Sequence, residues 1–332
     1  MTSPVRSKPF AIVGALVAYL VLAAPAVAGN GGFAPVEPDS PNAEGITHSY
    51  WFITAFILAI FALVEGLLIA FIVRFRRRRG RARDEDAPQI HGATRLETMW
   101  TIGPVLVLFA IAVFVFAKLP GIRDVPSATA AGGRLDVTVS GRQYYWEFRY
   151  PNGVIAVDRL RAPASRSVEL TVTAPDFDVI HSWWIPALGG KLDAIPGREN
   201  RTWFRAERTG ISKGRCAELC GLEHATMLAE VEVMPQAEFD AWLDERARQQ
   251  AEGTSPLGEE TYDGACAKCH GLAGEGGYGP ALAGSSLTQD PDAIATLLEN
   301  GRNLMPAVGR DWEDVQMDAL TSYLGERFKS GG

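Results

Sequence analysis

Three stretches of the chain are almost wholly apolar, and the first is unlike the other two. Residues 10–24 form a short apolar run behind Arg6 and Lys8, closed by the small residues Ala26-Val27-Ala28. A basic start, a short apolar middle and a small-residue end predict a secretory signal over 1–28, cleaved before Gly29. The run is short for a bilayer and Pro25 interrupts its end,. Residues 50–73, broken only by Glu65, and residues 100–117 are long enough to span,. They predict a two-helix transmembrane hairpin within a segment 29–120.

Beyond the second span the period shortens to two. Leu135, Val137 and Val139 alternate with polar residues, and similar short runs follow at 143–150, 167–173, 200–206 and 228–234,. Residues 174–180 also read as strand-like. Turn signals such as Pro151-Asn152-Gly153 separate the runs, the texture of a small antiparallel β-sandwich or barrel over 121–235,. Phe239, Trp242 and Leu243 then recur at helical spacing, and Gly253-Thr254-Ser255-Pro256 reads as a linker, giving a helix and linker over 236–257,. The last segment, 258–332, has helical ends around a glycine-rich middle.

Charge sets the orientation. Arg74, Arg76, Arg77, Arg78, Arg79, Arg81 and Arg83 follow the first span, and such a cluster stays in the cytoplasm,. Abutting a membrane helix, it reads as a topology signal, and no nucleic-acid partner is expected. Everything after Lys118 is then exported. The net charge of -7 includes these seven arginines, so the exported part is more acidic than the total, a face suited to solubility or to a basic donor protein,.

All four cysteines lie in the exported part as two close pairs, for which an oxidising compartment makes disulfides the default,. The surroundings of each pair argue otherwise. Cys216-Ala-Glu-Leu-Cys220-Gly-Leu-Glu-His224-Ala-Thr-Met227 places two thiols, an imidazole and a thioether in one loop. Soft sulfur with imidazole selects copper, less often zinc, and the thioether favours copper. His181 is the exported histidine left to complete the set. A plain Cys216–Cys220 disulfide is the alternative, and it leaves His181 and the tight loop unexplained. Cys266-Ala-Lys-Cys269-His270 is the attachment sequence of c-type haem, in which two thioethers hold the adjacent histidine beneath the iron,. A methionine on a distal loop is the expected sixth ligand. Met305, in Asn303-Leu304-Met305-Pro306, fits; Met317 lies in the helical pattern of 311–328 and reads as core.

His181-Ser-Trp-Trp-Ile-Pro, Lys191-Leu-Asp-Ala-Ile-Pro-Gly-Arg198 and Cys216-Ala-Glu-Leu-Cys-Gly resemble subunit II of cytochrome c oxidase, a haem-copper oxidase, over about residues 50–244. From 258 onward the chain resembles small class I cytochromes c, Gly279-Pro280-Ala281-Leu282 matching the loop that packs on the proximal histidine. The combination is similar to a caa-type subunit II with a fused C-terminal cytochrome c. It implies a multidomain fold: the two-helix transmembrane hairpin, an all-β cupredoxin-like sandwich, and an all-α class I cytochrome c domain. It further implies a dinuclear copper A centre of two coppers on His181, Cys216, Cys220, His224, Met227 and the backbone carbonyl of Glu218. The Glu218 side chain would lie at a magnesium site shared with subunit I.

The same resemblance implies one covalent haem c on Cys266, Cys269, His270 and Met305. Gln143-Tyr144-Tyr145-Trp146 resembles the family's aromatic patch where electrons enter, with Tyr144 in place of the usual tryptophan. Arg95-Leu-Glu97-Thr-Met-Trp100 resembles the segment before the second helix, where Glu97 would sit at the mouth of a proton channel. The implied protein is subunit II of a proton-pumping oxidase in a bacterial cytoplasmic (inner) membrane, with copper and haem on the periplasmic face and the oxygen-reducing site in another chain. Its partners would be subunits I and III and an upstream donor such as a bc1-type complex or a soluble cytochrome c. The linker would tether the haem domain at an effective concentration on the order of millimolar. A copper A nitric oxide reductase, and a membrane-anchored electron carrier without a catalytic partner, are the other readings. Quinol oxidases lack the copper cysteines and are excluded by Cys216 and Cys220.

Overall fold

The structure, a computed structural model, describes residues 34–75, 89, 91–126 and 133–329. The expected signal over 1–28 and every arginine of the basic cluster except Arg74 lie outside the described residues. The described residues 34–37 carry no regular structure and lie in a separate unit; everything below concerns the unit that begins at Pro38.

Two long helices open it: α1, Pro41–Phe75, and α2, Thr94–Arg123. Their 35 and 30 residues make them about 52 and 45 Å long, well beyond the roughly 30 Å of a bilayer core. Apolar content marks only the part that meets lipid, so both helices overrun the spans expected from sequence. The extra turns of α1 serve the exported domain. Pro41 suits a first helical position, and the buried Asn42 donates from Nδ2 to the Trp203 carbonyl at 2.5 Å. Phe52 stacks on Phe114 of α2 with ring centroids 3.9 Å apart. Further along, Leu58, Phe61, Phe71, Leu108 and Phe116 are exposed, and α2 has no buried residue. Apolar surface this continuous suits hydrocarbon rather than water.

Among the described residues ten strands follow: β1 Arg134–Arg142, β2 Tyr145–Arg149, β3 Ile155–Val157, β4 Arg159–Pro163, β5 Ser167–Thr173, β6 His181–Trp183, β7 Leu192–Ala194, β8 Asn200–Phe204, β9 Gly210–Arg215 and β10 Leu228–Met234. They form a five-stranded sheet in the order β3-β2-β1-β5-β8, a three-stranded sheet β4-β10-β9 and the pair β6-β7. β1 runs parallel to β5 and β4 parallel to β10; the remaining pairs are antiparallel. Between the sheets lies a core including Val137, Val139, Trp146, Phe148, Leu160, Leu170, Trp183 and Val231. The strand-like reading of 174–180 is corrected. Pro175 lacks a donor, its carbonyl accepts from Asp178 N–H at 2.9 Å, and the segment turns, leaving Phe177, Val179 and Ile180 exposed,.

Helix α3, Gln236–Ala251, lies against β4 and secures an edge strand: Gln250 exchanges two hydrogen bonds with the backbone of Ile155, at 3.1 and 2.7 Å. Then come α4, Leu257–Thr261, a π-helical turn, Tyr262–Cys266, and the short α5, Ala267–His270. Helices α6, Pro291–Asn300, and α7, Asp314–Arg327, complete the domain. Asp290 caps α6 by accepting from Ala293 N–H at 3.1 Å, with Pro291 following it,.

A second core gathers Leu257, Tyr262, Ile294, Leu298, Trp312, Leu320 and Leu324, and it includes Tyr145, Ile155 and Val157 of the sandwich. The C-terminal domain is therefore seated on β2 and β3 rather than swinging on the expected tether. Strand alternation produces this: Trp146 and Phe148 point into the sandwich, while Tyr145 points into the second core,.

Candidate metal centre and haem cradle

His181 opens β6, and the other candidate metal ligands lie on the loop between β9 and β10. The loop folds back on itself, Cys216 N–H donating to the Met227 carbonyl at 2.9 Å. This brings the donor atoms together: Cys216 Sγ lies 3.9 Å from Cys220 Sγ, 3.2 Å from the Glu218 carbonyl oxygen and 4.0 Å from His181 Nδ1. Cys220 Sγ lies 3.5 Å from His224 Nδ1 and 3.8 Å from Met227 Sδ. His181, Cys216, Cys220 and Met227 are buried, and His224 half-buried.

The hydrogen bond between the two thiols is the main cause drawing Cys216 below its ordinary value, and that same bond pushes Cys220 up. Two thiolates so close repel, and metal cations between them remove the conflict. Two sulfurs, two imidazoles, a thioether and a carbonyl facing one small volume are a donor set that copper fits.

Sequence reasoning missed Asp178. Its Oδ1 lies 3.1 Å from His181 Nε2 and its Oδ2 accepts from Gln143 N–H at 3.1 Å. The carboxylate turns the imidazole so that Nδ1 faces the sulfurs, the usual outer support of a metal-ligating histidine. Burial lowers the His181 pKa, yet the bonds to Asp178 and Cys216 outweigh it and hold the group above its ordinary value. An acid three residues before the histidine was the one available signal.

The haem-attachment residues fit their group as well. Cys266 and Cys269 are free thiols on one helical stretch. His270 is buried, and Nδ1 lies 2.7 Å from the Pro280 carbonyl, an arrangement in which Nδ1–H donates and Nε2 is left for a ligand. A Cβ at Gly279 would stand 2.5 Å from His270 Cε1, so only glycine lets this loop close on the imidazole. Met305 is half-buried on the second core, in a turn closed by Arg302–Met305 backbone bonds of 3.0 and 2.9 Å. Met317 packs into that core from α7.

Comparison with known proteins agrees. The family models for the transmembrane domain and the periplasmic domain of cytochrome c oxidase subunit II match residues 32–117 and 153–234. The model for cytochrome c oxidase, cbb3-type, subunit III matches 255–324. Cytochrome c oxidase subunit 2 of Alkalihalophilus pseudofirmus is 31% identical over 336 residues, covering 93% of this chain and 94% of that one. The chain belongs to the cytochrome c oxidase subunit 2 family. The counterpart in Bacillus sp. strain PS3 is 32% identical over 288 residues, 75% of this chain and 79% of that one. The solved periplasmic domain of cytochrome oxidase subunit II from Bradyrhizobium japonicum is 33% identical, covers 38% of this chain and 98% of its own, and superposes with a TM-score of 0.35.

As a cytochrome c oxidase subunit II with a fused cytochrome c domain, the chain carries a domain that implies copper A and a domain that implies haem c, and its family implies a subunit I. Its two spanning helices and periplasmic domain make it a membrane protein with an extracytoplasmic part.

The aromatic segment 143–146, which falls between the matched ranges, is not an open patch. Tyr145 and Trp146 are fully buried and Tyr144 half-buried. The Tyr145 hydroxyl accepts from Trp312 Nε1 at 2.7 Å. On either side of Trp312, Asp311 pairs with Arg142 and Glu313 with Arg149. The Tyr144 hydroxyl accepts from Leu222 N–H of the copper loop at 3.1 Å. Two acids predicted for subunit I stand at the surface. Glu218 has a half-exposed carboxylate 3.9 Å from Lys191 Nζ, and Glu97, in the first turn of α2, accepts from Ala93 N–H at 2.9 Å.

Proposed function

We propose that this subunit relays electrons from its own cytochrome domain to its copper loop and on to subunit I of a proton-pumping oxidase in a bacterial cytoplasmic membrane. The observation that carries the reading is the convergence of six donors from His181, Cys216, Glu218, Cys220, His224 and Met227 beside a seated haem-attachment turn. When bound, haem c and a dinuclear copper A supply reversible one-electron transfer from an upstream donor, such as a bc1-type complex or soluble cytochrome c, toward haem a.

The residues of this chain set the conditions. Cys266, Cys269 and His270 would attach and ligate haem, with Met305 as the sixth ligand. The Cys216–Met227 loop, with His181 oriented by Asp178, would hold the coppers, its two thiols and the thioether buried. The Glu218 carboxylate faces out, suited to a magnesium ion at the subunit I junction. Glu97, at the cytoplasmic start of α2, suits the mouth of a proton path, and the two helices suit docking to subunits I and III.

Metal analysis with visible and EPR spectra of the full chain purified from membranes tests the reading. The expected result is two coppers per haem and a mixed-valence copper signal. Cys220→Ser should abolish that signal and leave the haem spectrum unchanged. A copper-free wild-type chain with a Cys216–Cys220 disulfide would sink the reading.

A further inference from the structure

Two residues of the haem-attachment sequence, Ala267 and Lys268, have no part in attachment, and Lys268 points at the other domain. Lys268 Nζ donates to the Tyr144 carbonyl at 2.6 Å and lies 3.1 Å from Asp158 Oδ2, both groups of the sandwich. It is the sole lysine or arginine between Arg248 and Arg302, and its side chain is only 13% exposed. An ammonium so enclosed is stable only against acceptors that replace its water, and a carbonyl with a carboxylate does so through charge-assisted bonds.

Asp158 is itself held in place. Its backbone is left-handed at φ 54°, its Oδ1 accepts from Trp146 N–H at 2.8 Å, and its own N–H donates to the Trp146 carbonyl at 2.8 Å. The attachment turn sits so near that a Cβ at Gly264 would stand 2.5 Å from Val157 Cγ1.

From Tyr144 and its neighbour Gln143 two hydrogen bonds reach the copper loop. The Tyr144 hydroxyl accepts from Leu222 N–H at 3.1 Å, and the neighbouring Gln143 Nε2 donates to the Cys220 carbonyl at 2.8 Å. One residue, Tyr144, thus touches the haem-attachment sequence with its main chain and the copper loop with its side chain. Asp311, Trp312 and Glu313 grip Arg142 of β1 and Tyr145 and Arg149 of β2, contacts that do not pass through Lys268.

We propose that Lys268 is a positioning residue: by clamping the haem-attachment turn to Tyr144 and Asp158 it sets the gap across which the two cofactor cradles exchange electrons. Tunnelling falls steeply with separation, so a small slip of the turn slows exchange without undocking the domain. The proposal rests on the functional reading above and deepens it.

The test uses the full chain loaded with haem and copper. A photoreductant delivers one electron to the haem; its iron then passes from ferrous to ferric as the copper pair is reduced, and both are followed optically. Lys268→Met should slow this transfer, and Lys268→Arg should recover most of the lost rate. Asp158→Asn reaches the same lysine without touching the attachment sequence. It should slow transfer equally, the double variant being no slower than either single one. Cofactor spectra and amide exchange of 310–314 should not change.

Wild-type rates in Lys268→Met and Asp158→Asn would overturn the proposal. So would slowing that appears only with faster exchange at 310–314, which would make Lys268 an ordinary docking contact. A wild-type chain that passes no electron from haem to copper overturns the functional reading instead.

Discussion

The copper loop and the haem-attachment turn each set two cysteines beside a histidine, yet they are built at different levels. Cys266, Cys269 and His270 lie within five consecutive residues, and the Pro280 carbonyl ten residues on orients the imidazole. The copper loop is completed from outside itself. His181 arrives from β6, is aimed by Asp178, and packs near Trp146 of β2 with ring centroids 6.2 Å apart. A covalent anchor tolerates a disturbed surround; a pocket assembled from separate strands depends on their register. Copper occupancy should therefore report on the sandwich, and haem content on the local turn.

Trp146→Ala presses hardest on this contrast. Trp146 is fully buried against Trp183, and truncating such a side chain costs about 3–5 kcal/mol. Thermal unfolding should shift down and copper content fall while covalent haem persists; equal loss of both cofactors would break the contrast. Asp178→Asn should weaken copper binding by about 10–100-fold, as loss of an outer-sphere carboxylate does, measured by chelator competition with the haem spectrum as control. Unchanged affinity would show that the register of β6 alone aims His181. The smallest effect belongs to Glu313→Gln. Its carboxylate is 57% exposed, so stability should change by less than about 1 kcal/mol. A large loss in a denaturant titration would mean that ion pairs, rather than Tyr145 and Trp312, seat the haem domain.

Legibility followed the range of the interactions. Strands β5 and β10 were readable to the residue because alternation is local and turns bound both. β3, β6 and β7 span three residues each, too few to show a period. The run before His181 misled because apolar residues around Pro175 form a turn whose aspartate serves the histidine. The donor loop was legible as chemistry, since its sulfurs and His224 are close in sequence. Asp178, Asp158 and Lys268 were not, because an acid or a lysine with no visible partner reads as a solvated surface group.

Order along the chain was enough for the membrane hairpin, the attachment turn and the donor loop, each of which answers to neighbours within one run, helix or loop. Folding alone converted the aromatic segment at Tyr144 into a seat for the second domain. Arg142 meets Asp311 across 169 positions, and Tyr145 meets Trp312 across 167. Side chains so far apart carry no shared local pattern, and their types suit a buried core or a wet surface equally well until β2 is buried on both faces.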